Sequence, residues 1–284
     1  MRVTWDDDLP YALVVPPRPP VAPPPSRWRV AAAKVPLVPL LVVALGVVGV
    51  LGGARAAGLG ARTYPEAPRA AAAPLGAPGV PPAGEGGYAF LDVVDGQPTA
   101  YDRCAPLHYV VRPDGAPEDW QELLDTAMGH LSAATGLQVV DDGTTDEDPD
   151  DERALVQPDR YGDGVVPVLI AFSDEDESPD LAGDVVGYAG SVPGDPDGRG
   201  LRWLTGTVVL ESAALQAYDA YGRPADAEAL ALVLHELGHL VGLDHVDDPG
   251  DTMAAEGLLD GDGYTAGALR GLAALGAVPC PGGG

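Results

Sequence analysis

The run His235-Glu236-Leu237-Gly238-His239-Leu240-Val241-Gly242-Leu243-Asp244-His245 constrains this chain more than any other stretch of it. Its fixed positions read HExxHxxGxxH. Residues four apart share one face of a helix, so His235 and His239 can aim two imidazoles at a single point. Glu236 is rotated around the helix from them, placed to act on a metal-bound water instead of ligating the metal. The helix must then stop and turn back for His245 to close the site. Gly242 suits that stop, because glycine enters the left-handed conformation without a Cβ penalty. Three neutral nitrogens and one open position are the ligand set of a catalytic zinc. The spacing therefore predicts one Zn2+ held by His235, His239 and His245, with Glu236 as the catalytic residue.

Around the motif, residues 225–243 carry a helical pattern in which Leu230, Val233, Leu234, Leu237, Leu240 and Val241 form an apolar stripe. The competing reading is an ordinary buried helix whose histidines are incidental. It is costly, since imidazoles and a carboxylate in a core need partners that apolar side chains do not supply.

The segment resembles the metzincin metalloproteases and, within them, the matrixins. Met253, in Asp251-Thr252-Met253-Ala254-Ala255, is similar to the family's methionine-bearing turn, and Gly242-Leu243-Asp244-His245 has matrixin-like wording. The resemblance implies a zinc metalloendopeptidase that acts on protein or peptide substrates. It also implies an α+β, metzincin-like zincin domain: a mixed twisted β-sheet with an N-terminal helix, an active-site helix and a C-terminal helix. There are departures. Animal matrixins hold a second, structural zinc with further histidines, and here only His108 and His130 lie outside the motif. Val246 stands where the family usually has serine, the turn lacks the proline and tyrosine that shape the specificity pocket, and no cysteine precedes the domain as a latency switch. Simple bacterial matrixin-like enzymes are the closer comparison. Matrixins also bind calcium, and the acidic run Asp141 to Glu152 offers carboxylates for Ca2+; a solvated acidic loop is the competing reading.

Composition divides the rest of the chain. Residues 1–34 are proline-rich and read as a disordered or polyproline tail. From Val35 to Ala54 no charged residue occurs, and a helix of that length spans roughly 30 Å, the thickness of a bilayer's hydrocarbon core. Residues 35–54 thus predict a transmembrane anchor, single-pass in the cell membrane with the catalytic domain extracellular. The alternative is the core of a signal peptide cut near Ala54-Arg55-Ala56, which leaves a secreted protein. Residues 55–87, dominated by Ala, Pro and Gly, read as a linker, and 88–284 as the catalytic domain. Within it Leu107–Val111, Leu137–Val140, Val165–Phe172, Val185–Val192 and Gly206–Leu210 have strand character, and Pro117–Thr135 and Thr265–Leu275 helical character. By family order, residues 185–190 are the candidate edge for an extended substrate.

With 43 Asp and Glu against 16 Lys and Arg, the net charge is −27. That excess repels nucleic acid, which is not an expected partner. Cys104 and Cys280 make an even pair, read as a disulfide; the rival reading makes Cys104 a thiolate that blocks zinc. Nothing in the sequence fixes an oligomeric state. Two other functions compete with the peptidase: a non-catalytic surface protein that keeps the zinc fold as a binding module, and a metal-dependent hydrolase of non-peptide substrates. Glu236 discriminates against the first, because a retired enzyme has no use for it.

Overall fold

A computed structural model of the chain describes residues 4–6, 12–14, 71, 73–83, 86–150, 153–183, 185–219, 225–255 and 261–281. In chain order the elements are β1 (Thr4–Asp6), β2 (Ala12–Val14), β3 (Ala89–Phe90), β4 (Val93–Val94), β5 (Gln97–Pro98), β6 (Leu107–Arg112), α1 (Trp120–Thr135), β7 (Val139–Thr144), α2 (Pro158–Tyr161), β8 (Val168–Ser173), β9 (Val185–Gly194), β10 (Arg202–Glu211), α3 (Ser212–Asp219), α4 (Ala225–Val241), β11 (Leu243–Asp244) and α5 (Ala266–Gly276).

Five valine-rich runs build the body of the sheet in the order β9-β10-β8-β6-β7. β10, β8, β6 and β7 run parallel to their neighbours, and β9 alone among these five runs antiparallel, against β10. Central β8, Val-Leu-Ile-Ala-Phe-Ser, is buried at every position, as a parallel strand covered on both faces must be. Ile170, Phe172, Val208 and Leu210 point to the main core shared with α1, α4 and α5, while Leu169 and Ala171 pack with Val110 on the other face. Mixed strands with helices gathered on one face make this an α+β domain.

α1 buries Leu124, Ala127, Met128 and Leu131 and ends at Gly136, whose φ of 73° lets its N–H reach back to the Ser132 carbonyl at 2.8 Å. The sequence pattern puts only a stripe of α4 in the core. Instead residues 229–243 are buried without interruption, Ala231 and Leu232 included, because the helix is walled by β9 and β10 on one side and α1 on the other. Cys104 and Cys280 are joined in a disulfide with a Cα separation of 5.8 Å, tying the entry of β6 to the segment after α5. The end of the alanine- and proline-rich stretch also lies on the domain, with Leu75 N–H bonded to the Arg103 carbonyl and Gly79 N–H to Ala133, both at 2.9 Å.

Near the start of the chain, β1 and β2 pair with each other, and β2 adds antiparallel to β9. Residues 35–54, where the sequence predicts an anchor, lie outside the described residues. The longest described helix, α4, has 17 residues and is about 25 Å long, short of a hydrocarbon core. Among the described residues no helix is long and apolar enough to cross a membrane. The expectation of a single-pass membrane protein is corrected accordingly.

Much of the acidic run is spent internally. Glu147 is buried and bonded by Arg153 (2.9 and 2.8 Å), Tyr161 (2.7 Å) and Gln157. Asp146 pairs with Arg160, and Asp148 with Arg112. Among the described residues no three carboxylates of this run converge on a point, so the structure lends the Ca2+ expectation no support. Burial acts to raise the Glu147 pKa, but the hydrogen bonds from Arg153, Gln157 and Tyr161 outweigh it and hold the carboxyl below its ordinary value of 4.5. A depressed carboxylate contributes stability above its unfolded pKa and loses it as pH falls through the folded one. Glu147→Gln strands Arg153, and should cost about 3 kcal/mol in urea unfolding at pH 7. The gap from the wild type should close as pH falls below 4.5, and a gap that stays constant would refute the ionic role.

Candidate metal centre

α4 carries the first two histidines into the core, where His235, Glu236 and His239 are fully buried. Each ring is held from behind. His235 Nδ1 lies 2.6 Å from the Thr252 carbonyl and His239 Nδ1 lies 2.8 Å from the Leu243 carbonyl. A carbonyl only accepts, so each neutral ring carries its proton on Nδ1 and turns an Nε2 lone pair inward. The Nε2 atoms of His235 and His239 are 2.8 Å apart, and those of His239 and His245 are 3.0 Å apart. Ring planes of His239 stand at 75° to His235 and 84° to His245, as rings arrayed around a centre do. A tetrahedral zinc with bonds of about 2.05 Å would hold such nitrogens roughly 3.3 Å apart. The three ligand atoms lie within 4.8 Å of one another, so these residues fit one metal ion.

Electrostatics agrees with that fit. Burial, then the neighbouring imidazoles, pushes His235 well below the ordinary histidine pKa and His239 down to about 3. Protonated rings here are unfavourable, which leaves the lone pairs to a cation. Burial drives Glu236 the other way, well above the usual carboxylate value. Neither of its carboxylate oxygens has a hydrogen-bond partner among the described residues. An orphaned buried carboxyl is costly unless a cation or a bound molecule answers it.

Close approaches explain the glycines. Gly242 has φ 118°, its N–H bonds the His239 carbonyl at 3.0 Å, and a Cβ there would sit 3.0 Å from Trp203 Nε1. The turn sends the chain into β11, which pairs with β3 and leads to His245. Met253 is buried against Gly238, where a Cβ would come within 2.4 Å of its sulfur. The loop bearing it is fixed by Asp251, which accepts from Met253 N–H at 3.0 Å and Thr265 Oγ1 at 2.7 Å, and by Val246 N–H on the Met253 carbonyl at 2.9 Å.

Some of these groups are not evident from spacing. Gly187 on β9 faces the glutamate: a Cβ there would lie 3.0 Å from Glu236 Oε1. The Thr252 carbonyl and Asp251 carry no motif of their own beyond their nearness to Met253. His108, on the surface, pairs with Asp142 at 2.9 Å, and His130 lies beside Gly263; neither joins the trio. Cys104 is bonded to Cys280 and so is not a zinc-blocking thiolate. A concavity of about 440 Å³ elsewhere on β9 and β10, lined by Arg153, Tyr188 and Thr207 among others, touches none of the centre's side chains.

No protein-family profile matches the chain, and no curated protein matches it. Among solved structures it is similar to the crystal structure of an archaemetzincin from Methanopyrus kandleri, at 18% identity and a TM-score of 0.38, over 58% of this chain and 92% of that one. A likeness this slight assigns no family. No family profile and no curated relative supports the narrower matrixin expectation, which is therefore corrected to a metzincin-like resemblance alone.

The contact between Gly238 and Met253 is testable on its own. Gly238→Ala should destabilise by about 1–3 kcal/mol in urea unfolding, because the new methyl meets the sulfur. In a Met253→Ala background the same change should become neutral or stabilising, since alanine is the better helix former. Equal costs in both backgrounds would mean that Met253 does not pack there.

Proposed function

We propose that this protein is a zinc-dependent endopeptidase in which His235, His239 and His245 hold one catalytic Zn2+ and Glu236 is the general base and acid. The observation that carries the reading is the convergence of the histidine Nε2 atoms, with the rings of His235 and His239 locked by the Thr252 and Leu243 carbonyls. Neutral imidazoles with a hydrogen-bonded far nitrogen suit zinc, and such partners fix both tautomer and ring orientation. Bound there, zinc supplies Lewis acidity and lowers the pKa of its water to about 7.

The chain's own residues account for the remaining chemistry. Glu236 takes the proton of the attacking water and returns it to the departing amine. Its burial and its lack of hydrogen-bond partners among the described residues leave both oxygens available for that exchange. β9 offers backbone N–H and C=O groups that can hold an extended peptide whatever its side chains, beside the glutamate at Gly187. The third histidine and its glycine turn favour peptides over other substrates. A non-catalytic zinc module has no need of a buried, unanswered carboxylate, and that feature favours the enzyme. The disulfide supports a domain that works in an oxidising compartment.

The experiment is turnover of a diverse quenched peptide library by the zinc-loaded full chain, with and without a chelator. Activity that the chelator abolishes is expected; chelator-resistant cleavage would sink the reading. Glu236→Ala should keep its zinc, measured by elemental analysis, and lose at least about a hundredfold in turnover. Retained turnover would overturn the general-base role. His245→Ala should surrender zinc to a chelator that the wild type resists, and unchanged zinc retention would remove the third ligand.

A further inference from the structure

β9 alone among the five strands of the sheet's body runs antiparallel, and it lies at one side of them. That side is taken by β2, in the register Ala12↔Tyr188, Leu13↔Gly187 and Val14↔Val185. β1 covers β2 in turn, with Trp5 opposite Leu13. The position that Leu13 faces is Gly187, the residue against which the Glu236 carboxylate rests. Adjacent strands lie about 4.8 Å apart, so the backbone of residues 12–14 passes beside the catalytic carboxylate's wall of the centre. One strand edge offers a single row of N–H and C=O groups, and two extended segments cannot use it together.

We propose that residues 12–14 are an in-chain occupant of the β9 edge, competing with extended peptides for the strand beside the metal centre. The idea rests on the peptidase reading for its consequence, since the competitor then restrains activity. The occupancy stands apart from that reading. Its pairing is short, with Pro10 before β2 and Pro16 and Pro17 after it, residues that carry no backbone N–H to extend a ladder. A short, proline-bounded strand is suited to displacement.

The test uses the full zinc-loaded chain and the double variant Leu13→Pro/Val14→Pro. Successive N–H groups along a strand point to opposite sides, so the pair removes donors from both edges of β2. Amide hydrogen exchange in residues 185–188 should quicken in the variant while zinc content stays the same. A synthetic peptide spanning residues 9–17, added in trans, should restore the protection. If β2 occupies the edge nine-tenths of the time, its release lowers KM for an extended peptide about tenfold with kcat unchanged. Unaltered exchange in β9 would overturn the occupancy, and faster exchange with an unaltered KM would overturn the competition. Should neither chain cleave any peptide while exchange still quickens and the added peptide still restores it, the strand's occupancy is supported and the peptidase reading fails instead.

Discussion

Two carbonyl oxygens set the chemistry of this protein. The Thr252 and Leu243 carbonyls accept the Nδ1 protons of His235 and His239, and so force two lone pairs to face each other 2.8 Å apart in the buried core. Without a cation that arrangement is repulsive, and burial forbids the rings the protons that would relieve it. The surrounding structure serves to impose it. Gly242 ends α4 so that Leu243 can turn its carbonyl back onto His239, and Asp251 pins the loop from which Thr252 reaches His235. Gly238 lets Met253 lie close under the helix, and Ser191 Oγ secures the Leu240 carbonyl at 2.6 Å, binding the end of α4 to β9.

Local pattern carries far in this chain. Spacing within 235–245 names the three imidazoles that meet, because helix periodicity and one glycine turn are matters of a few residues. The five principal strands and the helices α1, α4 and α5 also stand close to where alternation and periodicity put them, with edges displaced by a few residues. Val139–Thr144 is the clearest slip: the strand runs on through Asp141 and Asp142, polar residues that an edge strand tolerates and a hydrophobic pattern cannot mark.

Long-range pairings were the illegible part. Glu147 reads as one more carboxylate in an acidic run, yet it is the buried partner of Arg153, Gln157 and Tyr161. Gly187 looks like any glycine in a strand until the close approach of Glu236 is known. Residues 4–6 and 12–14 sit in a proline-rich stretch whose composition argues for no structure, and their pairing depends on an edge more than 170 positions away. The anchor expected over 35–54 came from apolar composition and length, and those residues lie outside the described ones.

The sheet and the helix work as two halves of one device. α4 presents the histidines and Glu236 from the core, and β9 brings a row of backbone donors and acceptors to the same place, with no side chain at Gly187 to obstruct the carboxylate. X-ray absorption at the zinc edge of the loaded full chain tests the central claim most directly. Three imidazole nitrogens at about 2.0–2.1 Å, with one further light atom, are predicted. Sulfur scattering at about 2.3 Å, or fewer than three imidazoles, would contradict the account.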